Sequence, residues 1–112
     1  MSLSDPIMRL LVYFATHFIG DFAFQSTWMV SEKGKSWEVL IYHVLVWSAP
    51  FVLLLLIPEL QPYITPEGLL VNSLSHIVID ALKARYNVIK TIWQDQLCHL
   101  GVITILWAIN WL

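Results

Sequence analysis

Ligand-type side chains recur four residues apart inside apolar segments: His17 and Asp21, His76 and Asp80, Asp95 and His99. Residues four apart stack on one face of a helix, so each pair points two ligands toward one place. His43, the remaining histidine, stands alone in a fourth apolar segment. Carboxylates and imidazoles among leucines are costly to bury unless they act together. The pattern therefore asks for four helices whose polar faces meet in one centre.

Composition names the solvent. The chain has 112 residues, 58% hydrophobic and only 12% charged, with a mean hydropathy of +0.69. Soluble domains carry about a quarter charged residues. One domain of this length, residues 1–112, cannot hide so much apolar surface in its own core, so lipid is the expected surrounding. The net charge of −2 excludes the basic patch that a nucleic-acid partner requires. Cys98 is the single cysteine, so no intrachain disulfide forms. The first apolar segment does not read as a cleaved signal peptide, since it carries His17 and Asp21 and no small-residue cleavage site follows.

A spanning helix needs about 20 mostly apolar residues. Four candidates run from about Pro6 to Phe24, Trp37 to Ile57, Glu67 to Leu82 and Asp95 to Leu112. Pro50 is expected to kink the second. Pro58, Pro62 and Pro66 separate the second from the third. The expected fold is all-α, an integral membrane four-helix bundle in up-down-up-down order. Lys33, Lys35, Lys83, Arg85 and Lys90 fall on one side of these spans, and Arg9 alone near the other. The positive-inside rule puts the basic side in the cytoplasm and both termini outside.

A rise of about 1.5 Å per residue places His17, His43, His76 and His99 roughly 8–13 Å from the cytoplasmic ends of their spans. Asp21 and Asp80 fall about one turn shallower, and Asp95 lies nearest the surface, the doubtful member of the set. Alternating helix directions could have scattered these residues over both leaflets; antiparallel packing brings them to one level. His17, Asp21 and His43 describe one helical hairpin, and His76, Asp80 and His99 another. The two read as pseudo-repeated hairpins about an axis normal to the membrane.

Four imidazoles and three carboxylates suit Zn, Mn or Fe better than Ca or Mg, which prefer all-oxygen shells. The predicted ligands are His17, Asp21, His43, His76, Asp80, Asp95 and His99, enough for one or two divalent ions. Set against this is plain helix–helix hydrogen bonding, with Asp and His pairing inside one helix. Gln25 and Asn72 continue the polar stripes, and Gln96 neighbours Asp95. These stand behind the ligands or beside a substrate. Lys33, Lys83 and Arg85, at the cytoplasmic mouth, either hold a phosphate or headgroup or simply set topology.

The run HFIGDFAFQ, a Lys in a polar loop, YHV, HIVIDALK and DQLCH together resemble a small bacterial and phage membrane-protein family of unknown function. The matching positions are His17, Asp21, Gln25, Lys33, His43, His76, Asp80, Lys83, Asp95, Gln96 and His99. A more distant similarity is to proteins described as membrane-bound metal-dependent hydrolases. The resemblance implies a multi-pass protein of the bacterial inner membrane.

The leading expectation is hydrolysis of a lipid or lipid-linked phosphoester at the cytoplasmic leaflet by metal-activated water. Asp21 or Asp80, where not a ligand, would be the general base. One alternative is cation or proton transport, against which the outer halves of the spans read as almost purely apolar. The others are bis-His haem binding and a non-catalytic, phage-related membrane partner. Membrane lipid is the expected neighbour, and four short helices make a homo-oligomer an expected state.

Overall fold

A computed structural model describes residues 2–112. It is all-α: five α-helices and, among the described residues, no strand. They are α1 (Pro6–Phe18), α2 (Thr27–Glu32), α3 (Trp37–Leu53), α4 (Pro66–Ala84) and α5 (Ile92–Ala108). A π-helical turn, Ile19–Ala23, continues α1, and a 3-10 turn, Leu54–Leu56, continues α3.

Each helix starts on a capping side chain. Asp5, Ser26, Ser36, Thr65 and Thr91 accept from backbone N–H groups of the first turn, satisfying donors that a helix start leaves free. Pro6 and Pro66 occupy the first helical positions, where a missing N–H costs nothing. α3 runs through Pro50 without a break and tightens only at Leu54. Asn87 takes a positive φ of 55° in the turn after α4, a conformation that Asn tolerates better than most residues.

α1 packs on α3 and α5, and α4 packs on the same two, so the four longer helices close into a ring. α2, which the sequence pattern did not reveal, lies against α3 and buries none of its residues. The molecule measures 41 × 23 × 23 Å. Its apolar core gathers Tyr13, Val44, Trp47, Phe51, Leu60, Ile64, Ile103, Leu106 and Leu112. These lie between the level of the histidines and the α3–α4 connection.

Of the four expected spans, one helix meets both length and hydropathy for crossing a membrane. It is Trp37–Leu56, 20 residues at mean hydropathy 2.3. α1, α4 and α5 have 13, 19 and 17 residues. Their inward stripes of Arg, Asn, His and Asp lower the hydropathy that the outward faces would give. The helices also start and stop differently from the expected spans. The first stops being α-helical at Phe18, and the fourth begins at Ile92, a turn before Asp95.

Gly20 marks a tight approach of the π-turn to α3. A Cβ there would lie 2.8 Å from both Trp47 Cδ1 and the Trp47 carbonyl oxygen. Backbone cannot yield as a side-chain tip can, so Gly20→Ala should cost about 1–3 kcal/mol. Gly101 has nothing within 4 Å of its would-be Cβ, and Gly101→Ala should be neutral or gain up to about 1 kcal/mol of helix propensity. Thermal unfolding of the two purified variants in detergent checks the pair. Equal melting temperatures would contradict the packing.

Candidate metal centre

α1, its π-turn, α3, α4 and α5 bring six of the seven predicted ligands together. Four ligand atoms form one group, contributed by Asp21, His43, His76 and Asp80, and three form a second, contributed by Asp21, Asp95 and His99. All of these residues are buried. Asp21 belongs to both groups, so its carboxylate lies between them.

The distances within the first group suit a cation. Asp21 Oδ1 lies 3.4 Å from His43 Nε2 and 3.6 Å from His76 Nε2. Asp80 Oδ2 lies 2.9 Å from His43 Nε2 and 3.5 Å from His76 Nε2. The two imidazole Nε2 atoms are 3.1 Å apart. Ligands about 2.0–2.1 Å from a tetrahedral Zn stand about 3.4 Å from one another. In the second group His99 Nε2 lies 3.3 Å from Asp95 Oδ1, and Asp80 Oδ1 approaches it at 3.5 Å.

Hydrogen bonding alone does not satisfy this set. Asp21 Oδ1, Asp95 Oδ1, His76 Nδ1 and His99 Nε2 are buried with no hydrogen-bond partner. Buried polar atoms rarely go unpaired. Unpaired carboxylate oxygens facing imidazole nitrogens are the donor set of a divalent ion, so the residues fit a metal. The bare helix–helix hydrogen-bonding alternative leaves these atoms unexplained.

The one-turn offset expected between aspartates and histidines closes for a geometric reason. Helical side chains lean toward their own N-terminus. Asp21 and Asp80 sit on chain segments running one way, His43 and His99 on helices running the other. The aspartates therefore lean deeper and the histidines shallower. Asp21 also sits mid-way along the wide π-turn, a feature often found at functional sites. Asp95, the doubtful member, is fully part of the centre and only 2% exposed.

His17 lies outside both groups. Its Nδ1 accepts from Trp47 Nε1–H at 3.1 Å, and its Nε2 meets Gln96 Oε1 at 2.6 Å. Both ring nitrogens are thereby used, and the ring is held rather than left open. Gln96 passes the order on: its Nε2 donates to Asp21 Oδ2 at 2.9 Å and to Asp95 Oδ2 at 3.1 Å. Trp47 also stacks on His76, centroids 4.0 Å apart. Trp47 was missed in the sequence, although it follows His43 by four and so shares its helix face.

Lys33, which ends α2, is buried, and its Nζ donates to Asp80 Oδ2 at 3.1 Å. Lys83 lies 3.7 Å from Asp95 Oδ2 and is more open to solvent. Arg85 stays at the rim with its guanidinium 4.2 Å over the Trp37 ring. Its Nε and Nη1 have no partner. Gln25 Nε2 donates to the Asp21 carbonyl at 3.1 Å, not to a ligand atom. Asn72 lies one turn before His76 on α4 and joins neither group. Cys98 is exposed. No open pocket leads to the centre among the described residues.

Residues 9–112 match a family described as Protein of unknown function (DUF3307). The chain belongs to that family. The match covers α1 from Arg9 onward, all of α3, α4 and α5, and every residue of the two groups. No curated protein and no solved structure matches the chain.

Residues that hold ligands in place commonly change metal affinity about 10–100-fold when removed. Gln96→Leu should weaken metal binding by that factor without abolishing it. His76→Ala, which removes a converging ligand atom, should abolish binding at the first group. Competition with a fluorescent chelator measures both. Unchanged affinity in Gln96→Leu would sever Gln96 from the centre.

Proposed function

We propose that the protein is a multi-pass membrane protein carrying a metal centre that hydrolyses a lipid or lipid-linked phosphoester at the cytoplasmic leaflet. The observation that carries this reading is the convergence of Asp21, His43, His76 and Asp80 at near-tetrahedral spacing, with Asp21 Oδ1 unpaired. Zn, Mn or Fe fits this mixed nitrogen and oxygen set. The sharing of Asp21 between the two groups supports two ions.

The membrane part rests on an inside-out arrangement. α1 turns Arg9, Tyr13, Thr16 and His17 inward and exposes Ile7, Leu11 and Phe18. α4 buries Asn72, His76 and Asp80 and exposes Leu70, Leu74 and Val78. α5 buries Asp95 and His99 and exposes Leu97 and Ile105. Apolar patches of such extent are not left to water. The 41 Å long axis agrees with about 40–45 Å for a bilayer with its headgroup regions. The centre lies toward the end bearing Lys33, Lys83 and Arg85, the side that the positive-inside rule assigns to the cytoplasm. Both termini then lie outside, and the ring is a single four-helix transmembrane domain.

When bound, a divalent ion supplies Lewis acidity and an activated water. The chain's own residues do the rest. Asp80 and the histidines of α3, α4 and α5 hold the ion or ions. Asp21, its Oδ2 held by Gln96, keeps Oδ1 free to accept a proton when it is not a ligand. Lys33, Lys83 and Arg85 ring the mouth with cations, and Arg85, whose Nε and Nη1 lack partners, is a donor for a phosphate. Entry of a substrate requires the short α2 and Lys33 to move aside, since no open pocket is present.

Transport of cations fits less well. The outer interior is an apolar core that also buries Arg9 and Asn72. A buried guanidinium on the path is an electrostatic barrier to cations.

Detergent-purified protein should carry about one or two equivalents of Zn, Mn or Fe by elemental analysis, as two sites sharing a carboxylate allow. His43→Ala and His76→Ala should lose the ion held by Asp21, His43, His76 and Asp80. Hydrolysis of a phosphodiester lipid should stop on chelation and return with the ion. Wild-type protein purified without chelators that holds no metal sinks the reading.

A further inference from the structure

The hydrogen bonds behind the ligand face run in one direction. Trp47 Nε1–H reaches His17 Nδ1 at 3.1 Å. An indole nitrogen only donates, so His17 Nδ1 carries no proton and accepts. The proton of the neutral ring then sits on Nε2, which donates to Gln96 Oε1 at 2.6 Å. Asp21 Oδ2 stands 3.8 Å from that nitrogen, too far to compete. Trp47 is 1% exposed and His17 0%, so solvent offers the ring no other partner.

Gln96 is oriented in turn. Its amide nitrogen has two hydrogens, and two carboxylates take them: Asp21 Oδ2 at 2.9 Å and Asp95 Oδ2 at 3.1 Å. Turning the amide over would set its oxygen against both carboxylate oxygens and aim an N–H at the N–H of His17. Moving the His17 proton to Nδ1 would relieve the second clash only by facing it with the Trp47 N–H. One indole proton therefore fixes the sense of the whole chain. The other oxygens of the same two carboxylates, Asp21 Oδ1 and Asp95 Oδ1, are buried and unpaired. Asp21 Oδ1 faces the Nε2 atoms of His43 and His76 at 3.4 and 3.6 Å. Asp95 Oδ1 faces His99 Nε2 at 3.3 Å.

We propose that Trp47 and His17 are positioning residues which, through Gln96, make Asp21 and Asp95 one-oxygen ligands and so set the centre's preference for a four-coordinate ion, Zn, over Mn. This rests on the metal centre proposed above and adds to it the choice of ion. Asp21 Oδ1, Asp80 Oδ2 and the Nε2 atoms of His43 and His76 make four ligand atoms. A zinc ion is satisfied by four. Binding through both oxygens of Asp21 would raise the count toward the octahedral, oxygen-rich shell that suits Mn. The Gln96 amide holds Asp21 Oδ2 away from that role. Asp80 divides its oxygens as well, with Oδ1 turned to His99 at 3.5 Å.

Two measurements read the chain and the ion separately. In metal-free protein in detergent, nitrogen-15 NMR of the assigned His17 ring distinguishes a protonated from a bare ring nitrogen. Wild type should show Nε2 protonated and Nδ1 bare. Competition with a chelator then gives the Zn and Mn affinities. Trp47→Phe keeps a ring where the indole stacks on His76, centroids 4.0 Å apart, but has no N–H. It should bind Zn about 10–100-fold more weakly and Mn less affected, so that the Zn-to-Mn affinity ratio falls about tenfold. A fold merely loosened would weaken both ions alike. Should Trp47→Phe not fold, Gln96→Leu, which releases Oδ2 of both aspartates, should lower the same ratio. Nδ1 of His17 protonated in wild type, or a Zn-to-Mn ratio unchanged in the variants, overturns the proposal while leaving the metal centre standing. Wild type that binds neither ion overturns the choice of ion together with the metal centre, and the His17 signals then tell whether the chain exists without it.

Discussion

Asp80 is the carboxylate that the rest of the molecule is arranged around. Four side chains approach it: Lys33 from the end of α2, His43 from α3, His76 from its own helix and His99 from α5. It is 1% exposed. Removing a carboxylate from water costs several kcal/mol unless its charge is answered. That cost explains why helices from both halves of the chain turn polar faces inward, and why a lysine on a surface turn is drawn into the interior. The ring closes because its members share one charge problem as much as because their apolar faces pack.

Two ends of one interior answer that problem differently. At the Asp80 end, Asp21 Oδ1 and Asp95 Oδ1 lack partners beside imidazole nitrogens, and a cation is the natural complement. At the Arg9 end, a guanidinium is buried over the Tyr63 ring with one hydrogen bond, to the Ser4 carbonyl. Between them lies the apolar cluster of Trp47, Phe51, Ile103 and Leu106. Trp47 belongs to both layers, donating to His17 at one edge and packing on Phe51 at the other. It couples the position of the ligand face to the packing of the core, and Gly20 lets the chain come close enough for that coupling.

Much of the site was legible before any coordinates, for particular reasons. His76 and Asp80 are four apart, and α4 is a regular helix through both. The caps Asp5, Ser36, Thr65 and Thr91 are residues with strong local preferences. What stayed hidden depended on atoms rather than residue positions. Counting rise per residue misplaced Asp21 and Asp80, because it follows Cα atoms and ignores the lean of side chains. The spacing of His17 matches that of a ligand, yet both its nitrogens are taken by Trp47 and Gln96. α2 escaped notice because a six-residue helix leaves no periodic apolar stripe.

The sequence by itself determined the four long helices, their inward polar faces and the residues able to bind a cation. Each of these follows from local backbone preference and four-residue spacing. Tertiary structure alone decided which of those residues converge. It set His17 behind the ligands, drew Asp95 into the centre, brought Lys33 to Asp80 across 47 positions of chain, and left Arg9 buried without an acid. The reason is physical. Helix periodicity says which way a side chain faces, whereas partnership depends on the crossing of helices, the lean of side chains and the competition among buried groups for too few partners.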